Sequence, residues 1–130
     1  MNMDYNVNTE KAFDDVVRDV EKYAAEHNFR ILHVHDVQAT LAEKGFQREP
    51  LKIMELCNSK FAHEALQKEM GVSLFMPCKI NVYTEDGQTR IKAMRPAAIS
   101  EFMPQAGLDE LAHEADQIII DIVNKAAGEN

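Results

Sequence analysis

The sequence predicts an α+β domain, and three observations carry that prediction. Apolar and polar residues alternate over residues 72–84, which is typical of a strand with one buried face. Apolar residues recur at helical spacing near both ends of the chain, over residues 13–26 and 108–127. Asp86-Gly87 lies between two strand-like runs and predicts a β-hairpin. The order of the elements argues against a doubly wound α/β fold.

The first strand and the first helix are predicted at the N-terminus. Residues 3–7 place Met, Tyr and Val in alternation with polar residues, as in a strand. Asn8 or Thr9 offers a side-chain oxygen that would cap the following helix. The apolar stripe predicts that this helix runs to about Glu26.

Two further strands and a short helix are predicted next. Residues 29–37, FRILHVHDV, are rich in β-forming side chains and too few for a confident helix, so they predict a strand. Residues 38–45 predict a short helix that ends at Gly45, because glycine readily adopts a left-handed closing conformation. Residues 51–57, LKIMELC, predict a strand in the interior of the sheet.

The next helix is predicted to start at Asn58 or Ser59 and to stop at Gly71. Both starting residues have side-chain oxygens suited to a helix cap. Residues 72–84 would then form the first strand of the hairpin, and residues 89–95 would form its partner.

The C-terminal part is predicted to be helical. Pro96 can open a short helix or a turn. A longer helix is expected over about residues 106–127, and its wide apolar stripe requires burial against the rest of the chain. Residues 1–130 are therefore interpreted as a single domain, a size that suits one hydrophobic core.

The charge of the chain excludes several classes of partner. It holds 14 Lys and Arg against 22 Asp and Glu, a formal net charge of −8. The positive surface that dominates nucleic-acid affinity is therefore missing, and anionic lipid headgroups would repel the chain. No apolar run approaches the ~20 residues that span a bilayer. We expect a cytoplasmic protein with no nucleic-acid or membrane partner.

The sequence identifies neither an enzyme class nor a cofactor. It contains no glycine-rich phosphate loop, no GxSxG elbow, no HExxH helix and no CxxC pair. Its two cysteines are too few for a disulfide-stapled secreted scaffold. Whether the protein is an enzyme stays open on this evidence.

His33 and His35 form the first group of side chains that could carry chemistry. Residues two apart on a strand point to the same side, so both imidazoles would lie together. Paired imidazoles are common ligands of zinc and other late transition metals. The alternative is a pair of hydrogen-bonded or half-exposed histidines at a strand end, because no third or fourth ligand is evident in the sequence.

Cys57 and Cys78 form the second group. Cys57 ends a predicted strand just before a helix N-terminus, where the helix dipole would lower the pKa of a thiol. Pro77 interrupts the ladder of backbone hydrogen bonds beside Cys78. We expect the two cysteines, although distant in sequence, to belong to one local site. The alternative is that both are packing residues, since cysteine is often buried.

The same residues carry a family resemblance. The sequence resembles the domain-of-unknown-function 302 family over about residues 10–100, on these segments: Cys57-Asn58-Ser59 with Ala62 and Leu66, Pro77-Cys78-Lys79, Asp36-Val37 and Pro96. Two positions depart from the family pattern. Ser59 stands where proline is usual, and Met76 where leucine is usual. Both changes are mild in volume and in helix-starting ability.

The resemblance implies a fold and no activity. The family is similar in layout to the TATA-binding protein, with a curved antiparallel sheet that carries helices on one face. That layout is no evidence of DNA binding. The resemblance adds Asp36 to a candidate ligand site that holds Cys57, Asn58, Pro77 and Cys78.

Two functions are compatible with the sequence. The first is a domain that binds a small ligand or a partner and acts as a homodimer. The open face of a helix-backed sheet must be covered by another layer, and a second copy of the chain is the commonest one. The second is a thiol- or metal-dependent protein of redox or sulfur chemistry that uses Cys57 and Cys78, with His33 or His35 as further ligands.

Overall fold

A computed structural model describes residues 2–129 and confirms the α+β class. The strands are β1 (Asp4–Thr9), β2 (Arg30–Asp36), β3 (Leu51–Cys57), β4 (Cys78–Glu85) and β5 (Gln88–Met94). The α-helices are α1 (Phe13–Glu26), α2 (Val37–Ala42), α3 (Ser59–Lys68), α4 (Pro96–Phe102) and α5 (Asp109–Ala126). A 3₁₀ segment, Met70–Phe75, follows α3.

The five strands form one antiparallel sheet in the order β1-β5-β4-β3-β2. The hairpin between β4 and β5 turns at Asp86 and Gly87, whose φ angles are 52° and 75°. These positive φ angles are what the two central positions of such a turn require, so the predicted hairpin is confirmed. At the other end of β4, Cys78 stands opposite Leu56 of β3.

Helices cover one face of the sheet. Side chains of β3, β4 and β5 pack there against α1 and α5, and the fully buried members include Met54, Leu56, Ile80, Val82, Ile91, Val16, Val20, Ile119 and Ile122. Alternate residues of the same strands point away from this core. We call that second surface the outer face; it includes His33, His35, Ile53, Glu55, Lys79, Asn81, Tyr83 and Lys92.

The first strand and the last helix are tied directly to each other. The hydroxyl of Tyr5 donates to Oδ1 of Asn124 at 2.7 Å, although 119 positions separate the two residues. The hydroxyl of Thr9 donates to the carbonyl of Ala127 at 2.9 Å. The expectation that Asn8 or Thr9 caps α1 is therefore wrong. Ala12 occupies the cap position without a side-chain bond, because the Thr9 oxygen is engaged with the carbonyl of Ala127, directly after α5, and with the backbone N–H of Lys11.

The strand predicted over residues 72–84 begins later than expected. Helix α3 ends at Lys68 rather than Gly71, and the 3₁₀ segment occupies what was read as the start of the strand. Val72 is 4% exposed and Leu74 is 86% exposed, whereas two residues at this spacing on a strand would share one face. The difference in burial fits the observed helical geometry, with three residues per turn. The ladder starts after Pro77, which has no N–H to donate.

One buried carboxylate joins the end of the sheet to two helices. Asp116 of α5 is 1% exposed, and its oxygens lie 2.8 and 3.3 Å from the Nη2 and Nε atoms of Arg95. Its Oδ1 also accepts from the backbone N–H of Ala97 at 3.2 Å. Arg95 follows β5 and Ala97 lies in the first turn of α4. A buried charge is tolerated because it is paired and hydrogen-bonded in this way.

We predict that Asp116→Ala lowers the free energy of unfolding by about 2–4 kcal/mol, because it leaves a guanidinium and a backbone N–H without their acceptor. Urea denaturation measures this loss. Asp121→Ala, on the exposed side of the same helix, serves as the matched control and should change the free energy by less than about 0.5 kcal/mol. Equal losses in the two variants would contradict the assigned role.

Candidate functional site

A pocket lies between the end of the sheet and a layer formed by α3, the 3₁₀ segment, α4 and the start of α5. It is partly open to solvent and has a cavity volume of about 80 Å³. A single water needs about 10–15 Å³ on this scale, so the pocket suits a ligand of on the order of ten non-hydrogen atoms.

Asn58 fixes the position of α3 at this pocket. Its Oδ1 accepts from the backbone N–H of Phe61 at 3.0 Å, which confirms that Asn58 caps the helix. Its Nδ2 donates to the carbonyl of Asn28 at 3.3 Å. Asn28 has a φ of 64° and lies in the turn between α1 and β2. The cap therefore ties the start of α3 to the turn that leads into the sheet.

Helix α3 contributes both large and small side chains to the pocket. Phe61 lies against Phe29 with ring centroids 6.3 Å apart, and the two rings close one side. Ala62 and Ala65 also line the pocket. Their methyl groups leave open the volume that larger side chains would fill.

The opposite side is formed by the 3₁₀ segment, α4 and α5. Val72 and Phe75 are three positions apart and both line the pocket, as the three-residue turn of a 3₁₀ helix dictates. Ile99 of α4 and Leu111 of α5 complete this side. The lining is therefore almost entirely hydrocarbon.

Four of the five residues predicted for a ligand site line this pocket. Cys57, Asn58, Pro77 and Cys78 are brought together here by the adjacent ends of β3 and β4. Asp36 is not among the lining residues. Its Oδ1 accepts from the backbone N–H of Ala39 at 3.0 Å, so it caps α2 instead.

Both cysteines are free thiols, and burial controls their acidity. Desolvation raises the pKa of Cys57 above its ordinary value. It raises the pKa of Cys78 to about 11, with a smaller contribution from the nearby Cys57. The expectation that the helix dipole lowers the pKa of Cys57 is therefore wrong: the pKa is raised, and removal from water is the cause. Both groups are protonated at neutral pH.

The two histidines lie together on the outer face, apart from this pocket. Their ring centroids are 4.3 Å apart, and Nε2 of His35 lies 3.2 Å from Oε1 of Glu55. Neither His33 nor His35 lines the pocket, so they do not join the cysteines. Within residues 2–129, no three or more His, Cys, Asp or Glu side chains are grouped so as to hold a metal ion. A metal on this histidine pair stays a prediction.

Sequence reasoning missed most of the hydrocarbon lining. Ala62, Ala65, Ile99 and Leu111 carry no motif, and they resemble ordinary core residues of amphipathic helices. The spacing of Val72 and Phe75 was a usable signal, since an i, i+3 apolar pair just before a proline is compatible with a helical turn.

The model of the family described as "Domain of unknown function DUF302" matches residues 5–126. The chain belongs to the DUF302 family. The match extends through α5, beyond the part of the chain on which the sequence resemblance rests. Helix α5 is therefore part of the family unit.

A solved member has the same fold. The crystal structure of the uncharacterized conserved protein DUF302 from Bacillus stearothermophilus is 26% identical and has a TM-score of 0.91. The alignment covers 97% of this chain and 99% of that chain. None of the curated proteins matches the chain. No helix within residues 2–129 has the length and hydropathy needed to cross a membrane.

We predict slow alkylation of Cys78 by iodoacetamide at pH 8. A pKa raised from 9.0 to about 11 lowers the thiolate fraction at that pH by about 100-fold, and the thiolate is the reacting species. Cys57→Ser and Cys78→Ser proteins, labelled before and after unfolding in urea, separate the two thiols by mass spectrometry. Labelling of folded Cys78 at the rate of the unfolded chain would contradict the assigned burial.

Proposed function

We propose that the protein binds a small, uncharged and largely apolar ligand in this pocket. The observation that carries the proposal is the pocket itself, which opens to solvent and has an almost entirely hydrocarbon lining. Ligand sites in proteins are typically such concave apolar surfaces with few polar groups. A charged ligand would lose its hydration here without gaining a partner.

Chemistry at the thiols is the weaker alternative. The placement of Cys57 and Cys78 in one pocket supports it. The raised pKa of both thiols works against it, because redox and sulfur-transfer cysteines react as thiolates. We therefore assign the two cysteines to the wall of a binding pocket and not to a reactive centre.

We propose the cytoplasm as the setting of this function. Both cysteines are free thiols, as is usual in a reducing compartment. The net charge of −8 supports a small-molecule ligand over a nucleic-acid or anionic membrane partner.

We predict that Ala65→Met weakens binding of 1-octanol by at least about tenfold, because the longer side chain occupies the pocket. The probe is followed by isothermal titration calorimetry, and by amide shifts of Phe61, Val72 and Cys78 in NMR spectra.

Ala25→Met is the matched control, since Ala25 lies on the exposed side of α1. It should bind 1-octanol as the unaltered protein does. Absence of 1-octanol binding to the unaltered protein at concentrations up to its solubility would refute the proposed function.

We also propose that the protein acts as a homodimer through the outer face. Helices cover the other side of the sheet, whereas Ile53 and Tyr83 lie half-buried on this side without a covering layer among residues 2–129. A second copy would cover this half-buried apolar area.

We predict that Ile53→Lys converts the dimer to a monomer, because it replaces one of the half-buried apolar side chains of the outer face by a charge that the contact would have to desolvate. Size-exclusion chromatography with light scattering at micromolar concentration measures the change. Ala25→Lys adds the same charge on an exposed helix and should leave the dimer intact. A monomer for the unaltered protein would remove the dimer from the proposal and leave the pocket unaffected.

A further inference from the structure

Three exposed apolar side chains lie on two segments that wall the pocket. Met70 is 68% exposed, Leu74 is 86% exposed and Phe102 is 48% exposed. The first two belong to the 3₁₀ segment, and Phe102 is the last residue of α4. We call these three residues the apolar rim. Exposed apolar side chains on the walls of a pocket are candidates for contact with a ligand that extends out of it.

Phe102 connects the apolar rim to the pocket. Phe75 lines the pocket and stacks on Phe102, with ring centroids 5.7 Å apart and an angle of 23° between the planes. Cε of Met103 lies 3.5 Å from the position that a Cβ on Gly71 would occupy. The 3₁₀ segment and the end of α4 therefore meet at the pocket, and its hydrocarbon surface extends through the Phe75–Phe102 stack to the outside.

The interior of the pocket offers little to a polar head group. Asn58 is its one amide side chain, and Oδ1 and Nδ2 of that residue are already bonded to Phe61 and Asn28. The thiols of Cys57 and Cys78 are weak hydrogen-bonding groups. A ligand with a polar head must therefore keep that head in solvent while its apolar part enters the pocket.

The charges beside the apolar rim disfavour an anionic head. Glu69 directly precedes Met70, and Glu101 directly precedes Phe102; both are exposed. Lys68 is the adjacent cation and balances one of these two carboxylates. A carboxylate head would be repelled at this surface, whereas an uncharged head meets no such barrier.

We propose that the ligand is a single-chain amphiphile with an uncharged head group, whose carbons farthest from the head fill the pocket and whose carbons nearer the head lie across the apolar rim. This inference rests on the proposed function and names its ligand class. The pocket accommodates on the order of ten non-hydrogen atoms, so a chain of twelve carbons reaches beyond it.

The test is a series of 1-alkanols from hexanol to dodecanol, titrated below their solubility limits. Each methylene that leaves water should tighten binding by about fourfold. In the unaltered protein this gain continues from octanol to dodecanol. In the Leu74→Ser protein, the affinity increases with each methylene up to octanol and does not increase further for the longer chains. Phe46→Ser removes another exposed aromatic residue, one that does not line the pocket, and should retain the full series.

The outcomes separate this inference from the proposed function. The amphiphile is overturned if octanol binds but longer alkanols up to dodecanol bind no more tightly. It is also overturned if the affinity of Leu74→Ser increases over the whole series as in the unaltered protein. Either result leaves the proposed pocket function unaffected. If dodecanoate binds more tightly than dodecanol at pH 8, the claim that the head group is uncharged is refuted. A change of oligomeric state in Leu74→Ser, with unaltered alkanol affinity, assigns the apolar rim to a contact between copies and overturns the inference. Failure of every alkanol to bind refutes the proposed function itself.

Discussion

The position of α4 against α5 depends on one buried carboxylate. Asp116 accepts from the Arg95 guanidinium after β5 and from the first turn of α4, so three elements converge on two oxygen atoms. Both helices also line the pocket, through Ile99 and Leu111. The wall of the pocket is thus held by a directional, charge-assisted contact rather than by apolar packing alone. Asp116 therefore ties α4 to α5 on the side of the pocket that these two helices form.

The pocket exists because small side chains face each other where larger ones would fit. Ala62 and Ala65 of α3 and Ala112 and Ala115 of α5 all contribute to its lining. The pocket opens to solvent, so its hydrocarbon lining meets water. A ligand that fills the space removes that apolar surface from water, which favours binding. The chain therefore carries a built-in preference for an occupant of matching shape.

Strong local signals were sufficient for the elements of the fold and for part of the site. Asp86-Gly87 fixed the hairpin, because few residues tolerate positive φ, and Asn58 marked the start of α3. The ends of β3 and β4 brought Cys57 and Cys78 to one pocket, as the strand order required. The 3₁₀ segment was missed because Val72, Leu74 and Met76 are apolar at every second position, as in a strand, although Val72 is buried and Leu74 is exposed. The acidity of the thiols depends on burial by distant helices, which local sequence does not report.

The hydrogen bonds between the first strand and the last helix set a condition on the folding of the chain. Strand β1 pairs with β5, and its Tyr5 hydroxyl reaches Asn124, 119 positions away. During synthesis the strand that emerges first is thus among the last to find its partners. Folding must close a loop of nearly the whole domain, and contacts of such separation are formed slowly. Until that closure the edge of β5 is unpaired, so a nascent or truncated chain presents a surface for wrong strand pairing.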